Sequence, residues 1–308
     1  MAEANSETPE GRGALSERAA IVTGSSRGIG RAVAQALAAH GAGVVVNGRE
    51  AAAVDAVVSE IADAGGRAVG VVGSTAETGV AEQLLDTALA TFGSLDALIN
   101  CAGTAEPPGS SILTVTDEQW HELIDAHLTG TFRTCRVVAP HFVASGGGAI
   151  VNTGSFAFLG DYGGSGYPAG KGAVNSLTMA IAAELREYGV RANVVCPGAR
   201  TRLSTGADYL QHIESLHERG LLDDVTYQGS LNPAPPQYVA QFYTYLASDL
   251  STVTGAIFAA SGCFVGRFDK QSPSLLAWRD HDSAPPWTLP ELAGIVEGAV
   301  SGDGSAAG

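Results

Sequence analysis

The strongest constraint on the fold is a repeated alternation of short apolar runs with amphipathic helical stretches. Ala19–Thr23 is the first run, and apolar residues at helical spacing follow it until Gly41 ends the stretch. The pattern then recurs, with strands predicted at 44–46, 67–72, 95–100, 148–153, 190–195 and 256–260, and helices at 50–64, 79–92, 117–144 and 167–188. Parallel strands need helical crossovers, so this order predicts βαβ units. We expect a single α/β domain, a Rossmann-like doubly wound fold whose seven-stranded parallel sheet has helices on both faces.

The residues outside this alternation define the expected domain organisation. Residues 1–16 are mostly polar or small, so we interpret them as a flexible leader. The Rossmann-fold domain is expected to span 17–265. Within it, 203–236 interrupts the alternation between a strand and a helix, and we predict that this insertion covers a substrate pocket as a lid. Residues 266–308 follow the last predicted strand and form a C-terminal extension.

The composition limits the class of partner. The 308 residues contain 17 Lys+Arg and 32 Asp+Glu, for a formal net charge of −15. This acidity argues against nucleic acid, because the phosphate backbone binds basic surfaces. The hydrophobic fraction of 45% can form a large core, yet no apolar run approaches the roughly 20 residues of a membrane span. The N-terminus lacks a basic-then-apolar signal, so we predict a cytoplasmic protein that binds neither membrane nor nucleic acid.

No metal site is predicted. His121 and Glu122 resemble the start of the zinc motif H-E-x-x-H, but the second histidine is missing. His212 and His217 are five residues apart in a helical region and lie on different faces. The four cysteines are widely separated, which gives neither a zinc spacing nor a disulfide framework and fits a reducing compartment: Cys101, Cys135, Cys196 and Cys263.

A glycine-rich turn joins the first predicted strand to the first predicted helix. Glycine lets the backbone bend tightly and approach a pyrophosphate, whose charge then lies at the helix N-terminus. A strand before the turn and a helix after it are the context that a dinucleotide site requires. The candidate cofactor-binding residues of this turn are Gly24, Ser26, Arg27, Gly28, Ile29 and Gly30.

The end of the second strand indicates which dinucleotide is bound. Sites for NAD place an acidic residue there for the ribose 2′-hydroxyl, whereas sites for NADP place an arginine near the 2′-phosphate. The acid is absent here, and Arg49 stands just beyond the strand. Arg27 provides a second guanidinium in the first turn, and arginine binds phosphate in a bidentate manner. These residues favour NADP(H), while Glu50 beside Arg49 argues for NAD(H), which remains possible.

Two residues one helical turn apart are candidates for proton transfer. Tyr167 and Lys171 are four residues apart, so they lie on one face of a predicted helix. Reduction of a carbonyl by hydride needs a proton for the developing alkoxide, and a phenol can supply it. A nearby ammonium favours the phenolate and is expected to lower the pKa of the tyrosine. Ser155 follows the fifth strand, where its hydroxyl can donate to the substrate carbonyl.

Together these motifs resemble the classical short-chain dehydrogenase/reductase (SDR) family over roughly residues 17–265. Each motif lies at the carboxyl end of a predicted strand, which is where ligands bind in open α/β sheets. The matching segments, in order, are 23–30, 98–103, Ser155, Tyr167 with Lys171, and 196–201. The resemblance implies an oxidoreductase that acts on a small-molecule carbonyl or alcohol, and a homodimer or homotetramer.

The resemblance also implies a role for each matching residue. Tyr167 is the general acid/base, and Lys171 lowers its pKa and holds the nicotinamide ribose. Ser155 orients the carbonyl. Ser74 stands where many relatives have an aspartate that contacts adenine. The remaining residues expected to brace the sheet or contact the cofactor are Asn100, Ala102, Gly103, Pro197, Gly198, Ala199 and Thr201.

His127 departs from the family pattern. The family has an asparagine in this slot, which holds a water that links the lysine to solvent, and an imidazole can perform the same function. The alternative is a packed helical histidine with no part in proton transfer. A similar histidine suggests the subgroup of peroxisomal-type multifunctional β-oxidation dehydrogenase domains and related actinobacterial reductases. An acid near position 48 is common in that subgroup, and Gly48-Arg49 departs from it toward NADP.

Three functions are compatible with the sequence. The favoured one is an NADPH-dependent ketoreductase that interconverts a ketone and a secondary alcohol. The second is an NAD-dependent 3-hydroxyacyl-thioester or hydroxysteroid dehydrogenase. The third is a non-catalytic dinucleotide-binding scaffold. The segments predicted to wall the pocket, 104–112, 156–166 and 203–236, contain aromatic residues that suit a bulky or ring-containing ketone.

Overall fold

The computed structural model describes residues 15–262, 264–270 and 272–300. Residues 1–14 of the predicted leader and residues 301–308 of the predicted extension lie outside this range. The strands are β1 (Ala19–Thr23), β2 (Gly43–Gly48), β3 (Arg67–Val72), β4 (Ala97–Asn100), β5 (Gly148–Thr153), β6 (Val190–Gly198), β7 (Ile257–Ser261) and β8 (Phe264–Phe268). The α-helices are α1 (Gly28–Ala39), α2 (Ala51–Asp63), α3 (Val80–Phe92), α4 (Asp117–Ile124), α5 (Gly130–Ala144), α6 (Gly166–Leu185), α7 (Ala207–Glu218), α8 (Asp224–Leu231), α9 (Pro236–Ala247) and α10 (Leu289–Val300).

The strands form one sheet in the order β3-β2-β1-β4-β5-β6-β7-β8. The first seven are parallel, as predicted, and strand order reverses between β1 and β4 as in a doubly wound fold. The predicted total of seven strands is corrected to eight, because β8 pairs antiparallel with β7. Ser261 and Phe264 are partners across this hairpin, and Gly262 has the left-handed φ of +47° that a tight turn needs. The predicted domain boundary at residue 265 falls inside β8.

Two apolar layers hold helices against the sheet. Strand β1 contributes side chains to both layers, because its neighbouring residues Ile21 and Val22 point to opposite faces of the sheet. On one face Val22 packs with α1, α2 and α9, and on the other Ile21 packs with α3, α5 and α6. The central strands are buried along their length, which explains their almost continuous apolar sequence.

The helix predicted over 117–144 is interrupted. Residues Asp125–Thr129 form a π-helical turn between α4 and α5. Single π-turns inside α-helices are rare and often occur at functional sites. This turn contains His127, whose side chain is 2% exposed.

The segment 203–236 contains a small core of its own. Helices α7 and α8 bury Ile213, Leu216 and Leu222, and three tyrosines pack against that cluster. The described part of the chain divides into two compact units, of which the first ends at Phe268. In the second unit Arg279 stacks over Trp287, 3.6 Å from the ring centroid. No described helix is both long enough and apolar enough to cross a bilayer.

Candidate active site

The loop after β1 leads into a helix N-terminus whose first turn has no capping side chain among the described residues. Helix α1 begins at Gly28, and the N-cap residue Arg27 makes no side-chain capping bond within the described part of the chain. The first turn of α1 also carries no acidic residue. Its N–H groups therefore stay available for a negatively charged ligand, which the helix dipole also favours.

The glycines of this turn are required by close backbone packing. Gly24 has a φ of +61°, and a Cβ added there would lie 2.6 Å from Cα of Ala102. A Cβ on Gly30 would lie 2.5 Å from the carbonyl oxygen of Gly24. The segment after β6 reaches the same place, since Thr201 Cγ2 lies 3.5 Å from the ideal Cβ position of Gly28. Such close backbone packing is compatible with a pyrophosphate cradle, and binding of a pyrophosphate here stays a prediction.

The two arginines beside this turn differ in their ion pairing. Arg27 forms an ion pair with Glu50, and both side chains are largely exposed. Arg49 is exposed and forms no ion pair among the described residues. A Cβ on Gly48 would lie 2.6 Å from Oγ of Ser26, so a side chain at position 48 displaces that serine. The two predicted arginines therefore differ, since Arg27 is paired with Glu50 and Arg49 has no ion-pair partner among the described residues.

Asn100 lies in a buried hydrogen-bond network inside the sheet. Its Oδ1 accepts from Thr134 Oγ1 at 2.9 Å and from Thr23 Oγ1 at 3.2 Å. Its Nδ2 donates to Asn152 Oδ1 at 2.9 Å. The partners of this amide come from β1, β5 and α5, so Asn100 links these elements to its own strand β4. Ser74 is likewise occupied locally, because its Oγ accepts from the backbone of Ala76 at 3.3 Å.

The residues after β6 are held by local hydrogen bonds. Ser204 Oγ donates to the carbonyl oxygen of Ala199 at 2.7 Å and accepts from the Thr201 backbone N–H at 2.8 Å. A Cβ on Gly198 would lie 2.7 Å from Ser261 Oγ, so glycine is needed where β6 passes β7. The predicted segment 197–201 thus begins in β6 and continues into a turn that Ser204 ties to Ala199 and Thr201.

Lys171 is almost fully buried, at 4% exposure. Its Nζ donates to the carbonyl oxygen of Thr153 at 2.8 Å and lies 5.7 Å from the ring centroid of Tyr167. Burial lowers the pKa of Lys171 to about 8, because the ammonium loses hydration. Thr153 in turn contacts the hydroxyl of the buried Tyr243 at 3.0 Å. Tyr243 is a supporting residue that the sequence did not predict.

The expected effect of Lys171 on Tyr167 is not what the structure shows. Burial raises the pKa of Tyr167 above its ordinary value, and a hydrogen bond with Ser155 opposes this rise only in part. The prediction of a lowered pKa was therefore wrong for this protein without bound ligand. The physical reason is that the phenolate loses hydration in the same apolar surroundings that weaken the charge of the lysine. Ser155 itself begins a 3₁₀-helix, where its Oγ accepts from the Ala157 N–H at 3.2 Å.

His127 packs directly against Tyr167. The two rings meet edge to face, with centroids 4.8 Å apart. The His127 Nε2 lies 2.9 Å from the carbonyl oxygen of Thr104, whereas its buried Nδ1 has no hydrogen-bond partner among the described residues. Burial and the charge of Lys171 lower the pKa of His127 to about 3. The imidazole is therefore neutral at physiological pH and donates from Nε2, which leaves Nδ1 as an acceptor.

Gly103 explains why the chain can approach this ring. A Cβ at position 103 would lie 2.8 Å from Nδ1 of His127. The motif after β4 therefore contacts His127 through a glycine, while Ala102 contacts Gly24 of the cradle. The predicted residues Ala102 and Gly103 thus join the cofactor turn to the catalytic residues.

Aromatic residues line the approach to Ser155. Phe156 and Phe158 both meet Phe268 of β8 edge to face, at centroid distances of 5.8 and 5.1 Å. This cluster supports the predicted apolar wall, and its third member comes from the strand that the sequence did not predict. Glu106, in the predicted wall 104–112, has its carboxylate at the N-terminus of α6.

No group of three or more metal-ligating side chains is present among the described residues. His217, considered above, pairs with Asp224 at 2.9 Å and stacks on Tyr227. His212 Nε2 lies 3.0 Å from the carbonyl oxygen of Tyr162. His217 therefore pairs within the inserted segment, whereas His212 links that segment to Tyr162.

Comparison with known proteins agrees with this geometry. The family model for short chain dehydrogenases matches residues 18–207. A hydroxyacyl-CoA dehydrogenase of Mycobacterium tuberculosis is 39% identical over 264 residues, which cover 80% of this chain and 78% of that protein. A peroxisomal multifunctional enzyme type 2 of Mus musculus is 30% identical over 87% of this chain and 35% of its own length. A solved short chain dehydrogenase from Mycobacterium avium superimposes with a TM-score of 0.77 at 31% identity, covering 94% of this chain and 96% of that one.

The fold and the site thus define a nicotinamide-dependent oxidoreductase that acts on CH–OH groups. The chain belongs to the short-chain dehydrogenase/reductase family. The predicted resemblance to peroxisomal multifunctional and actinobacterial enzymes is supported by these relatives.

Proposed function

We propose that this protein is an NADPH-dependent ketoreductase that interconverts a ketone and a secondary alcohol. One observation carries the proposal: the partly buried Tyr167 shares a hydrogen bond with the Ser155 side chain, and the Lys171 ammonium lies 5.7 Å from the centre of its ring. This set places a proton donor, a hydrogen-bond donor and a cation at the carboxyl edge of the sheet.

The protonation states favour the reductive direction. Reduction needs a protonated tyrosine to give its proton to the substrate oxygen, whereas oxidation needs the phenolate as a base. Burial raises the pKa of Tyr167, so the phenol is protonated at neutral pH. Lys171, with a pKa of about 8, is mostly charged at neutral pH, so a cation lies 5.7 Å from the centre of the tyrosine ring during proton transfer.

Each residue then has a defined part. When bound, the nicotinamide cofactor would supply the hydride that reduces the carbonyl carbon. Ser155 donates a hydrogen bond to the carbonyl oxygen and orients it, and Tyr167 transfers its proton to that oxygen. Lys171 would hold the nicotinamide ribose near the phenol, while the carbonyl oxygen of Thr153 fixes the position of the lysine. His127 keeps an unpartnered acceptor, Nδ1, on a ring that packs against Tyr167, and we assign this acceptor to the path that restores the tyrosine proton.

The choice of NADP(H) over NAD(H) rests on Arg49. Its guanidinium is exposed without an ion-pair partner among the described residues, and Gly48 leaves no acid for a ribose 2′-hydroxyl. We expect Arg49→Ala to weaken NADPH binding on the order of tenfold or more and to leave NADH binding nearly unchanged, because a charge-assisted contact with phosphate is lost. Arg31→Ala is the matched control, since Arg31 pairs with Glu60 at 2.6 Å on the exposed surface. Equal losses for both dinucleotides would refute the 2′-phosphate assignment.

The relative from Mycobacterium tuberculosis favours a second candidate. Because that protein is named a hydroxyacyl-CoA dehydrogenase, the alternative is an NAD-dependent dehydrogenase of a 3-hydroxyacyl thioester, with a hydroxysteroid as a further possibility. The same catalytic residues serve both directions, so the substrate and the dinucleotide separate the two functions.

A substrate panel tests the proposal. Cyclic and bulky ketones, a 3-oxoacyl thioester and the corresponding alcohols are supplied with NADPH, NADP, NADH or NAD, and turnover is followed at the nicotinamide absorbance band. Reduction of a bulky or ring-containing ketone with NADPH supports the proposal. Preferred oxidation of a hydroxyacyl thioester with NAD supports the alternative. Dinucleotide binding without turnover of any member of the panel would leave the chain as a non-catalytic scaffold.

We also propose that the protein forms a homodimer or homotetramer through the helices of 117–144 and 167–188. Phe132 on α5 and Met179 on α6 are exposed at 44% and 36%. An interface through these helices would cover both side chains. Light scattering that gives the mass of a monomer would contradict this assembly.

A further inference from the structure

Glu106 reaches from the loop after β4 to the helix that carries the catalytic residues. Its Oε2 accepts from the backbone N–H of Tyr167 at 2.6 Å, and its Oε1 accepts from the backbone N–H of Ser165 at 3.2 Å. Oε1 also accepts from the hydroxyl of Ser110 at 2.9 Å. The carboxylate therefore bonds the catalytic tyrosine at its own backbone, 61 residues away in the sequence.

Helix α6 depends on this distant contact. The N-terminal N–H groups of a helix have no partner within the helix, and a capping side chain normally satisfies one of them. The N-cap residue Ser165 makes no side-chain capping bond among the described residues, and the first turn of α6 carries no acid. Glu106 supplies both the acceptors and the negative charge that the N-terminus favours.

The backbone of the facing turn is shaped to admit the carboxylate. Gly164 has a φ of +77°, and a Cβ added there would lie 2.9 Å from Cδ of Glu106. The loop is attached to the site a second time, because the carbonyl oxygen of Thr104 lies 2.9 Å from Nε2 of His127. The pocket wall 104–112 is thus joined at two points to residues that surround the phenol of Tyr167.

We propose that Glu106 is a positioning residue for the reaction. It fixes the first turn of α6, so that the Tyr167 hydroxyl keeps a constant distance and orientation relative to the pocket wall 104–112. This inference rests on the proposed function. It predicts that loss of the carboxylate impairs the chemical step, in which the tyrosine must be aligned, while the dinucleotide cradle around Gly24 and Gly30 stays intact.

Two substitutions of Glu106 and one control test the proposal. Glu106→Ala removes every acceptor, whereas Glu106→Gln keeps one carbonyl oxygen and loses the charge. Thr114→Ala is the control, because Thr114 Oγ1 bonds Gly109 and Ser111 within the same loop. For each variant kcat, KM and the dissociation constant of the dinucleotide are measured with the best ketone of the panel. Hydrogen exchange of the Tyr167 amide is followed in parallel.

We expect Glu106→Ala to lower kcat on the order of 10- to 100-fold, since misalignment by about 1 Å can cost that much. Glu106→Gln should retain part of the rate, and the dissociation constant of the dinucleotide should stay within about twofold in all variants. The Tyr167 amide should exchange faster in Glu106→Ala and unchanged in Thr114→Ala.

The failures of the two proposals differ. If the wild type turns over and Glu106→Ala matches Thr114→Ala in kcat, the positioning role of Glu106 is wrong and the proposed function stands. If the wild type reduces and oxidises nothing in the panel, the proposed function fails and the positioning role fails with it. In that case unchanged exchange of the Tyr167 amide in Glu106→Ala would also show that Glu106 does not cap α6.

Discussion

Replacing Lys171 by methionine should stabilise the fold and abolish catalysis. The ammonium is buried at 4% exposure, and its pKa falls from 10.5 to about 8 because burial removes its hydration. At neutral pH the charged form therefore costs about 3 kcal/mol in the folded protein, at about 1.4 kcal/mol per pH unit. Methionine has a similar length and no charge. Its cost is the lost hydrogen bond to Thr153, about 1 to 2 kcal/mol.

The net gain in the free energy of unfolding is about 1 to 2 kcal/mol at pH 7. A lysine with a lowered pKa in the folded state destabilises the protein fully below pH 8, and the penalty fades as pH rises toward 10.5. The advantage of Lys171→Met should therefore shrink by about 2 kcal/mol between pH 7 and pH 9.5. At the same time turnover should disappear, because no ammonium remains to hold the nicotinamide ribose or to stabilise the phenolate.

Urea unfolding at both pH values, without dinucleotide, measures this difference. Lys270→Met is the matched control, because Lys270 is exposed and its loss should change stability by a few tenths of a kcal/mol at either pH. A Lys171→Met protein that is less stable than the wild type at pH 7, with a difference that does not vary with pH, would refute the argument from burial.

Substitutions at three further residues test other parts of the site. Tyr243→Phe removes the hydroxyl that contacts Thr153, so we expect a loss of about 1 kcal/mol in unfolding free energy and a several-fold lower kcat, measured by urea unfolding and steady-state kinetics. Gly24→Ala should weaken dinucleotide binding at least tenfold by fluorescence titration, because its Cβ would lie 2.6 Å from Ala102 Cα. His127→Asn should retain much of the rate, whereas His127→Ala should lower it, as measured by pH–rate profiles.

Each of these has an outcome that contradicts it. A Tyr243→Phe protein with wild-type kcat would show that Thr153 holds the lysine without this support. Unchanged binding in Gly24→Ala would show that the cradle tolerates a side chain. Indistinguishable pH–rate profiles for the wild type and His127→Ala would remove the histidine from proton transfer. Because the pKa of His127 is about 3, no inflection from this residue is expected between pH 5 and 9.

The parallel sheet could be predicted because buried strands leave long apolar runs in the sequence. The eighth strand could not, since Phe264–Phe268 is half exposed and reverses direction after a two-residue turn. The π-helical turn at Asp125–Thr129 also leaves no signature, because one extra residue per turn barely alters the spacing of apolar positions. The spacing of apolar residues therefore predicts where helices and strands lie, but it does not predict an irregular turn within a helix.

The candidate catalytic residues could be selected from the sequence because Ser155 follows a strand and Tyr167 and Lys171 share one face of a helix, and their roles stay predictions. What could not be predicted depends on contacts between distant segments. The bond from Glu106 to the Tyr167 backbone and the pairing of Arg27 with Glu50 join residues that carry no shared motif. The raised pKa of Tyr167 follows from burial, which spacing along a helix does not report.

The central claim is that the Tyr167 hydroxyl moves the proton beside a bound nicotinamide. Tyr167→Phe removes one oxygen atom and leaves the glycine turn unaltered. Turnover and dinucleotide affinity, measured on one preparation of this variant, therefore test the claim directly. We predict a loss of turnover on the order of 10²- to 10⁴-fold, with a dissociation constant for NADPH within about twofold of the wild type. A Tyr167→Phe protein that binds NADPH normally and turns over at the wild-type rate would contradict it.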